Sequence, residues 1–105
     1  MDTDDLSIAT YNGIITEAEK FNHDLTLQFG VLASECKNDD DYLGKAEALI
    51  KEWLSVTDFD EIIDDVFYGE DVDCDEFKVT LNKLLANITE IRKTPLDKRE
   101  YENWG

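Results

Sequence analysis

The chain is 105 residues long and carries 26 acidic against 10 basic side chains, a formal net charge of −16. That length has no room for a second hydrophobic core, so residues 1–105 read as a single acidic domain; Leu, Ile, Val and Phe, 29 of the 105, suffice to build one core. The charge argues against a direct grip on nucleic acid or on an anionic membrane, since both need Lys and Arg to replace counterions. No apolar run approaches the roughly 20 residues of a membrane span, and residues 1–5 are acidic where a leader peptide is basic, so the expected setting is cytoplasmic.

One proline, Pro95, and five glycines leave long stretches free to be helical. Ile14, Ala18, Phe21, Leu25, Phe29, Leu32 and Cys36 recur in steps of three and four, and the phase is kept through Asn22, His23 and Asp24. This predicts one long helix from about Asp5 to Lys37. Gly13 and Gly30 each weaken it by about 1 kcal/mol relative to Ala, which leaves a break near residues 22–24 open. After a connection at residues 38–41, Tyr42, Leu43, Ala46, Leu49, Ile50, Trp53 and Leu54 share one face of a second helix.

Asp58 with Glu61 three residues later resembles a capping box and starts a short third helix, which Gly69 should stop. Its apolar stripe is Phe59, Ile62, Ile63, Val66 and Phe67. Asp73 with Glu76 repeats the cap, and Phe77, Leu81, Leu84, Ile88 and Ile91 follow with the 4-3-4-3 spacing of a bundle seam. That fourth helix should end near Lys93, before Thr94 and Pro95. Residues 94–105 then form a tail in which Tyr101 and Trp104 either pack back on the bundle or lie loose. The expectation is an all-α, single-domain bundle of four helices, with a long N-terminal helix and a short third one. Its core should include Phe21, Leu25, Leu32, Leu49, Trp53, Ile63, Val66, Leu81, Leu84 and Ile88.

Catalytic and cofactor motifs are missing from the sequence. There is no GxSxG, no HExxH and no glycine-rich phosphate loop, and the single histidine, His23, has no nucleophile to serve. Cys36 and Cys74 lie far apart and on or beside apolar stripes, which reads as a pair of reduced, largely buried thiols. Asp71, Asp73 and Asp75 alternate like the start of a calcium loop, but Glu76 and Asn82 stand where that loop needs Gly and a bidentate Glu. No cofactor, metal or catalytic residue is therefore expected. The segment Glu61-Ile62-Ile63-Asp64-Asp65-Val66-Phe67-Tyr68 resembles the Glu-x-x-Asp helix of the all-α nucleoside triphosphate pyrophosphohydrolases. That resemblance implies Glu61, Asp64 and Asp65 as magnesium ligands. It covers eight residues, and the Glu-x-x-Glu of the preceding helix is absent: Ile50 follows Glu47, and Ser55 follows Glu52, at the third place.

The charge is concentrated. From Glu52 to Phe77 there are eleven acids and no Lys or Arg. Asp58, Asp60, Glu61, Asp73, Asp75 and Glu76 fall in or beside first helical turns, where negative charge offsets the dipole by about 0.3–1 kcal/mol each. Asp64, Asp65, Glu70 and Asp71 have no such local reason. At 100° per residue, Glu61, Asp64, Asp65 and Tyr68 project together, away from the apolar stripe of the third helix, and Glu70 and Asp71 extend the patch. An aromatic ringed by acids suits a basic protein partner: charge steers the encounter and the ring anchors it. The colicin-type immunity proteins, small and acidic and helical, are a physical analogy. The expected function is an acidic protein-binding module, an inhibitor or immunity-like protein that blocks a basic nuclease or toxin through Glu61, Asp64, Asp65, Tyr68, Glu70 and Asp71. A magnesium-dependent hydrolase and a structural homodimeric subunit are the alternatives.

Overall fold

The computed structural model of the protein describes residues 3–68 and 70–101. A 3₁₀ turn, Thr3–Asp5, leads into α1 (residues 8–21), which comprises an α-helical turn Ile8–Thr10, a π-helical stretch Tyr11–Thr16 and an α-helical end Glu17–Phe21. Then come α2 (His23–Ala33), α3 (Asp39–Ser55), α4 (Phe59–Phe67), α5 (Cys74–Arg92) and a last 3₁₀ turn, Leu96–Lys98. All five helices share one core. The only β pairing among the described residues is an isolated bridge between Ser7 and Tyr101.

The long N-terminal helix anticipated from periodicity is two helices. Asn22 leaves the helical region (φ −164°, ψ 137°), and its side-chain oxygen accepts a hydrogen bond from Asp24 N at 2.8 Å. Asn is among the best N-caps, and here it satisfies one of the donors that a new helix start exposes. Helix α2 ends at Ala33, short of the anticipated Lys37, and α1 and α2 pack against each other. The bundle therefore has five helices where four were anticipated. The apolar phase still holds: Ile14, Ala18, Leu25, Phe29 and Cys36 are all buried, with Phe21 and Leu32 partly so.

The π-helical stretch brings α1 close to α5. A Cβ at Gly13 would meet Ile91 Cδ1 at 2.9 Å, and the Gly13 carbonyl accepts a hydrogen bond from Asn87 Nδ2 at 2.8 Å. The Asn87 amide on the neighbouring helix thus uses a carbonyl of this π-helical stretch as its acceptor. Lys83 Nζ also reaches Glu17 at 2.6 Å across the same contact.

The remaining helices follow the sequence closely. Asn38 caps α3, and Tyr42, Leu43, Ala46, Ile50 and Trp53 are buried, with Leu49 and Leu54 at the margin. Asp73 caps α5 by accepting from Asp75 N and Glu76 N, and all five seam residues from Phe77 to Ile91 are buried. Asp58 departs from expectation. It precedes α4, but its side chain makes no capping hydrogen bond. Cys36 and Cys74 are free thiols; Cys36 is buried, and burial raises its pKa. Among the described residues no helix is long and apolar enough to cross a membrane.

The C-terminal segment packs back through one charge. Arg99 is only 8% exposed and reaches Asp39 Oδ2 at 3.0 Å and Asp40 Oδ1 at 2.6 Å. The Asp39 carboxylate is itself buried at the start of α3, and it also accepts from Ser7 N (3.0 Å), Ser7 Oγ (3.0 Å) and Thr10 Oγ1 (2.8 Å). One carboxylate thus ties together both ends of the described chain and the head of α3. Ile8 N donating to Glu100 O at 2.8 Å closes the same seam. Trp104 and Gly69, each singled out in the sequence, lie outside the described residues.

Removing one partner of a buried pair leaves its hydrogen-bonding groups unmatched. Asp39→Ala should accordingly lower unfolding free energy by about 3 kcal/mol in urea titrations. Asp40→Ala, at a half-exposed position, should cost less than about 1 kcal/mol. Equal, small losses from both would show that the clamp does not hold the termini.

Candidate functional site

Helix α4 is short and sharply two-sided. Phe59, Ile63, Val66 and Phe67 are buried and Ile62 is partly buried, while Asp60, Glu61, Asp64 and Asp65 are exposed. The inner side is held by rings of Phe77 on α5, whose centroid lies 5.2 Å from Phe59 and 5.1 Å from Phe67. Lys78 Nζ sits 5.0 Å from the Phe59 ring centroid, within cation–π range. With the apolar stripe turned inward, the helical period sends Glu61, Asp64 and Asp65 to the solvent on one side.

Tyr68 ends the helix in the left-handed region, at φ 52° and ψ 41°. It is the only non-glycine residue with positive φ among the described residues. An L side chain there costs about 1–2 kcal/mol, which is why glycine usually takes this position. Here the left-handed residue is the tyrosine, whose ring is left 76% exposed. So exposed a ring gains little core packing to offset that cost.

The charges around Tyr68 break a second local rule. Asp64 and Asp65 occupy the last turn of α4, the negative pole of the helix dipole, and no basic residue stands there. Among the described residues, none of the eleven acids between Glu52 and Phe77 joins an ion pair; the ion pairs run instead through residues 17–23, 39–51 and 83–99. The structure therefore brings Glu61, Asp64 and Asp65 to one exposed side, with Tyr68 at their C-terminal end. Asp71 is exposed in the linker that follows. Glu70 is exposed but already engaged: its Oε2 accepts from Asn22 Nδ2 at 3.1 Å, and its N–H donates to Phe67 O at 3.0 Å.

Asn22 went unnoticed as a partner of this region. Its side chain caps α2 with one atom and holds the linker beyond Tyr68 with the other. The signal in the sequence was the strong N-cap residue interrupting an apolar period. His23 next to it is exposed and pairs with Glu19 across the break at 2.9 Å; the hydrogen bond that its ring donates to Glu19 when protonated raises the His23 pKa.

Metal ligation finds little geometry to use. Among the described residues no three His, Cys, Asp or Glu side chains are placed to hold one ion. Glu47, on the helix preceding α4, is occupied by Arg92 at 2.9 Å and Lys51 at 3.7 Å. Asp73, in the acidic alternation, serves as the cap of α5. Compared with known proteins, the chain matches no family model, no curated protein and no solved structure.

The cost of the left-handed tyrosine is measurable. Tyr68→Gly should raise the unfolding free energy by about 1 kcal/mol in chemical denaturation, because glycine accepts this conformation freely. A loss of stability would mean that the tyrosine ring packs on the bundle.

Proposed function

We propose that the chain is an acidic protein-binding module that blocks a basic partner, a nuclease or toxin in the immunity-protein manner, with Tyr68 as anchor and the α4 carboxylates as steering charges. The observation that carries this reading is Tyr68 itself: a large aromatic ring kept in an unfavourable backbone conformation, exposed, beside acids that join no ion pair among the described residues. Local rules broken together, without a structural return, mark the places where a sequence serves something other than its own stability. An exposed tyrosine supplies a large contact area with few rotatable bonds, and such residues dominate binding energy when buried by a partner.

The carboxylates act at longer range. Eleven acids without a Lys or Arg between Glu52 and Phe77, in a chain of net charge −16, draw a cationic surface in, and Glu61, Asp64, Asp65 and Asp71 align it. Glu70, bound to Asn22, keeps the linker in place behind the ring. A basic enzyme whose substrate is polyanionic has a cationic active-site face of the matching sign.

Immobilised full-length chain should recover a basic protein from lysate at low salt and release it as salt rises. With that partner in hand, Asp64→Asn/Asp65→Asn should slow association and flatten its salt dependence. Tyr68→Ala should cost about 2 kcal/mol, almost all of it in faster dissociation. Binding indifferent to both changes would reject this face.

A further inference from the structure

The C-terminal segment is seated differently from the helices. Among residues 94–101 only Arg99 is buried and only Leu96 half-buried, and Leu96 stands outside the core cluster of the described residues. The segment holds its own shape: Lys98 N donates to Pro95 O at 2.9 Å, Arg99 N to Leu96 O at 3.4 Å and Arg99 Nε to Thr94 O at 3.0 Å. It reaches the bundle through the Arg99 guanidinium on Asp39 and Asp40, the Ile8 N–H donating to Glu100 O at 2.8 Å, and the single bridge of Ser7 with Tyr101. Beneath it lies a concavity of about 300 Å³, with Ile8, Ala9 and Ile91 on the helix side and Thr94, Lys98 and Glu100 on the other. The segment is thus pinned at its far end and spans a gap along its length.

The clamp that pins it comes apart asymmetrically. Without Asp39, Arg99, Ser7 and Thr10 all lose an acceptor. If Arg99 withdraws instead, Asp39 keeps Ser7 N at 3.0 Å, Ser7 Oγ at 3.0 Å and Thr10 Oγ1 at 2.8 Å. It also stays in the first turn of α3, where the helix dipole favours a carboxylate. The guanidinium recovers its hydration in water, which offsets much of the attraction lost from a buried pair. The Ile8 N–H belongs to a helix start, an open donor that water can serve. No side chain of the apolar core has to move, since none of residues 94–101 belongs to it. We propose that residues 94–101 form a detachable strap, which lifts from the bundle about the Thr94–Pro95 junction while the five helices and the Asp39 network stay in place. Such a local opening costs far less than global unfolding. The seat it bares, Asp39 and Asp40 beside the Ile8 N–H, takes a guanidinium and the backbone carbonyl next to it, as Arg99 and Glu100 show in the closed form. The proposal makes no use of Tyr68 or of the α4 acids.

Amide hydrogen exchange of the full chain, followed residue by residue by NMR, has reporters on both sides of the clamp. The Ile8 amide, bound to Glu100 O, should be at least about tenfold less protected than the Leu84 amide in the middle of α5. Urea well below the unfolding transition should leave Ile8 exchange nearly unchanged while it speeds Leu84, because the strap exposes little surface when it lifts. The Ser7 amide, bound to Asp39 Oδ1, should stay at least about tenfold more protected than its neighbour Ile8. Ile50→Val, which removes one methylene from the core on α3, should quicken Leu84 exchange by about fivefold and leave Ile8 unchanged. Arg99→Gln should lower Ile8 protection by about a further tenfold while the circular dichroism stays helical. Ile8 exchanging with the protection and urea dependence of Leu84 would overturn the proposal, because the segment would then come away only when the bundle unfolds. Ser7 losing protection together with Ile8 would overturn it too, since the Asp39 network would be leaving with the strap. So would unchanged Ile8 protection in Arg99→Gln, which would remove Arg99 as the pin.

Discussion

Phe77 is the contact on which the arrangement of this bundle turns. Its fully buried ring lies 5.8 Å from Phe21 at the end of α1, 6.1 Å from Trp53 on α3, and within 5.2 Å of both Phe59 and Phe67 on α4. A single side chain on α5 therefore fixes three other helices. Aromatic pairs at these separations add about 0.5–1.5 kcal/mol each beyond the area they bury. For α4, only nine residues long and too short to persist alone, this contact sets the rotation about the helix axis. Once Phe59 and Phe67 are held inward, Glu61, Asp64 and Asp65 have no direction left but outward.

A second constraint works at the other end of the molecule. The Asp39 carboxylate gathers Ser7, Thr10 and Arg99, so the N-terminal turn, the head of α3 and the C-terminal segment are seated together. The close approach of Gly13 to Ile91 and the Asn87 hydrogen bond then lay α1 along α5. With α1 placed by α5 and α2 turned back at Asn22, a trough forms between Tyr11, Ile15, Leu27 and Val31 among the described residues. The polar clamp and the aromatic hub thus create two separate exposed features, one apolar and one acidic.

Much of this was legible in the sequence, and the failures have physical causes. The stripes of α3, α4 and α5 appear as periods of three and four, because a face that packs on a core must be apolar at those positions. The break at Asn22 was hidden because the apolar residues on its two sides keep a helical phase: periodicity reports which side chains are buried and is blind to one extended residue between them. Asp39, Asp40 and Asp41 look alike in sequence, and only the tertiary arrangement selects the first for the interior. Phe21, Leu32 and Leu49 sit at the edge of the core, because a stripe's margin faces solvent as often as a neighbour. In the acidic region, charge and spacing showed Glu61, Asp64, Asp65 and Asp71. The left-handed turn at Tyr68 was not readable, since the adjacent Gly69 was the natural stop, and the bond that draws Glu70 to Asn22 spans 48 positions of the chain.

The account rests on position 68 meeting a partner, and photo-crosslinking reads that contact directly. With Tyr68→p-benzoylphenylalanine in the full chain, irradiation in lysate at low salt should yield one discrete adduct with a basic protein, suppressed at high salt. The same photoreactive group at Val79, which is 68% exposed on α5, should yield no such adduct. Equal labelling from both positions, or none from position 68, would contradict the assignment of this face.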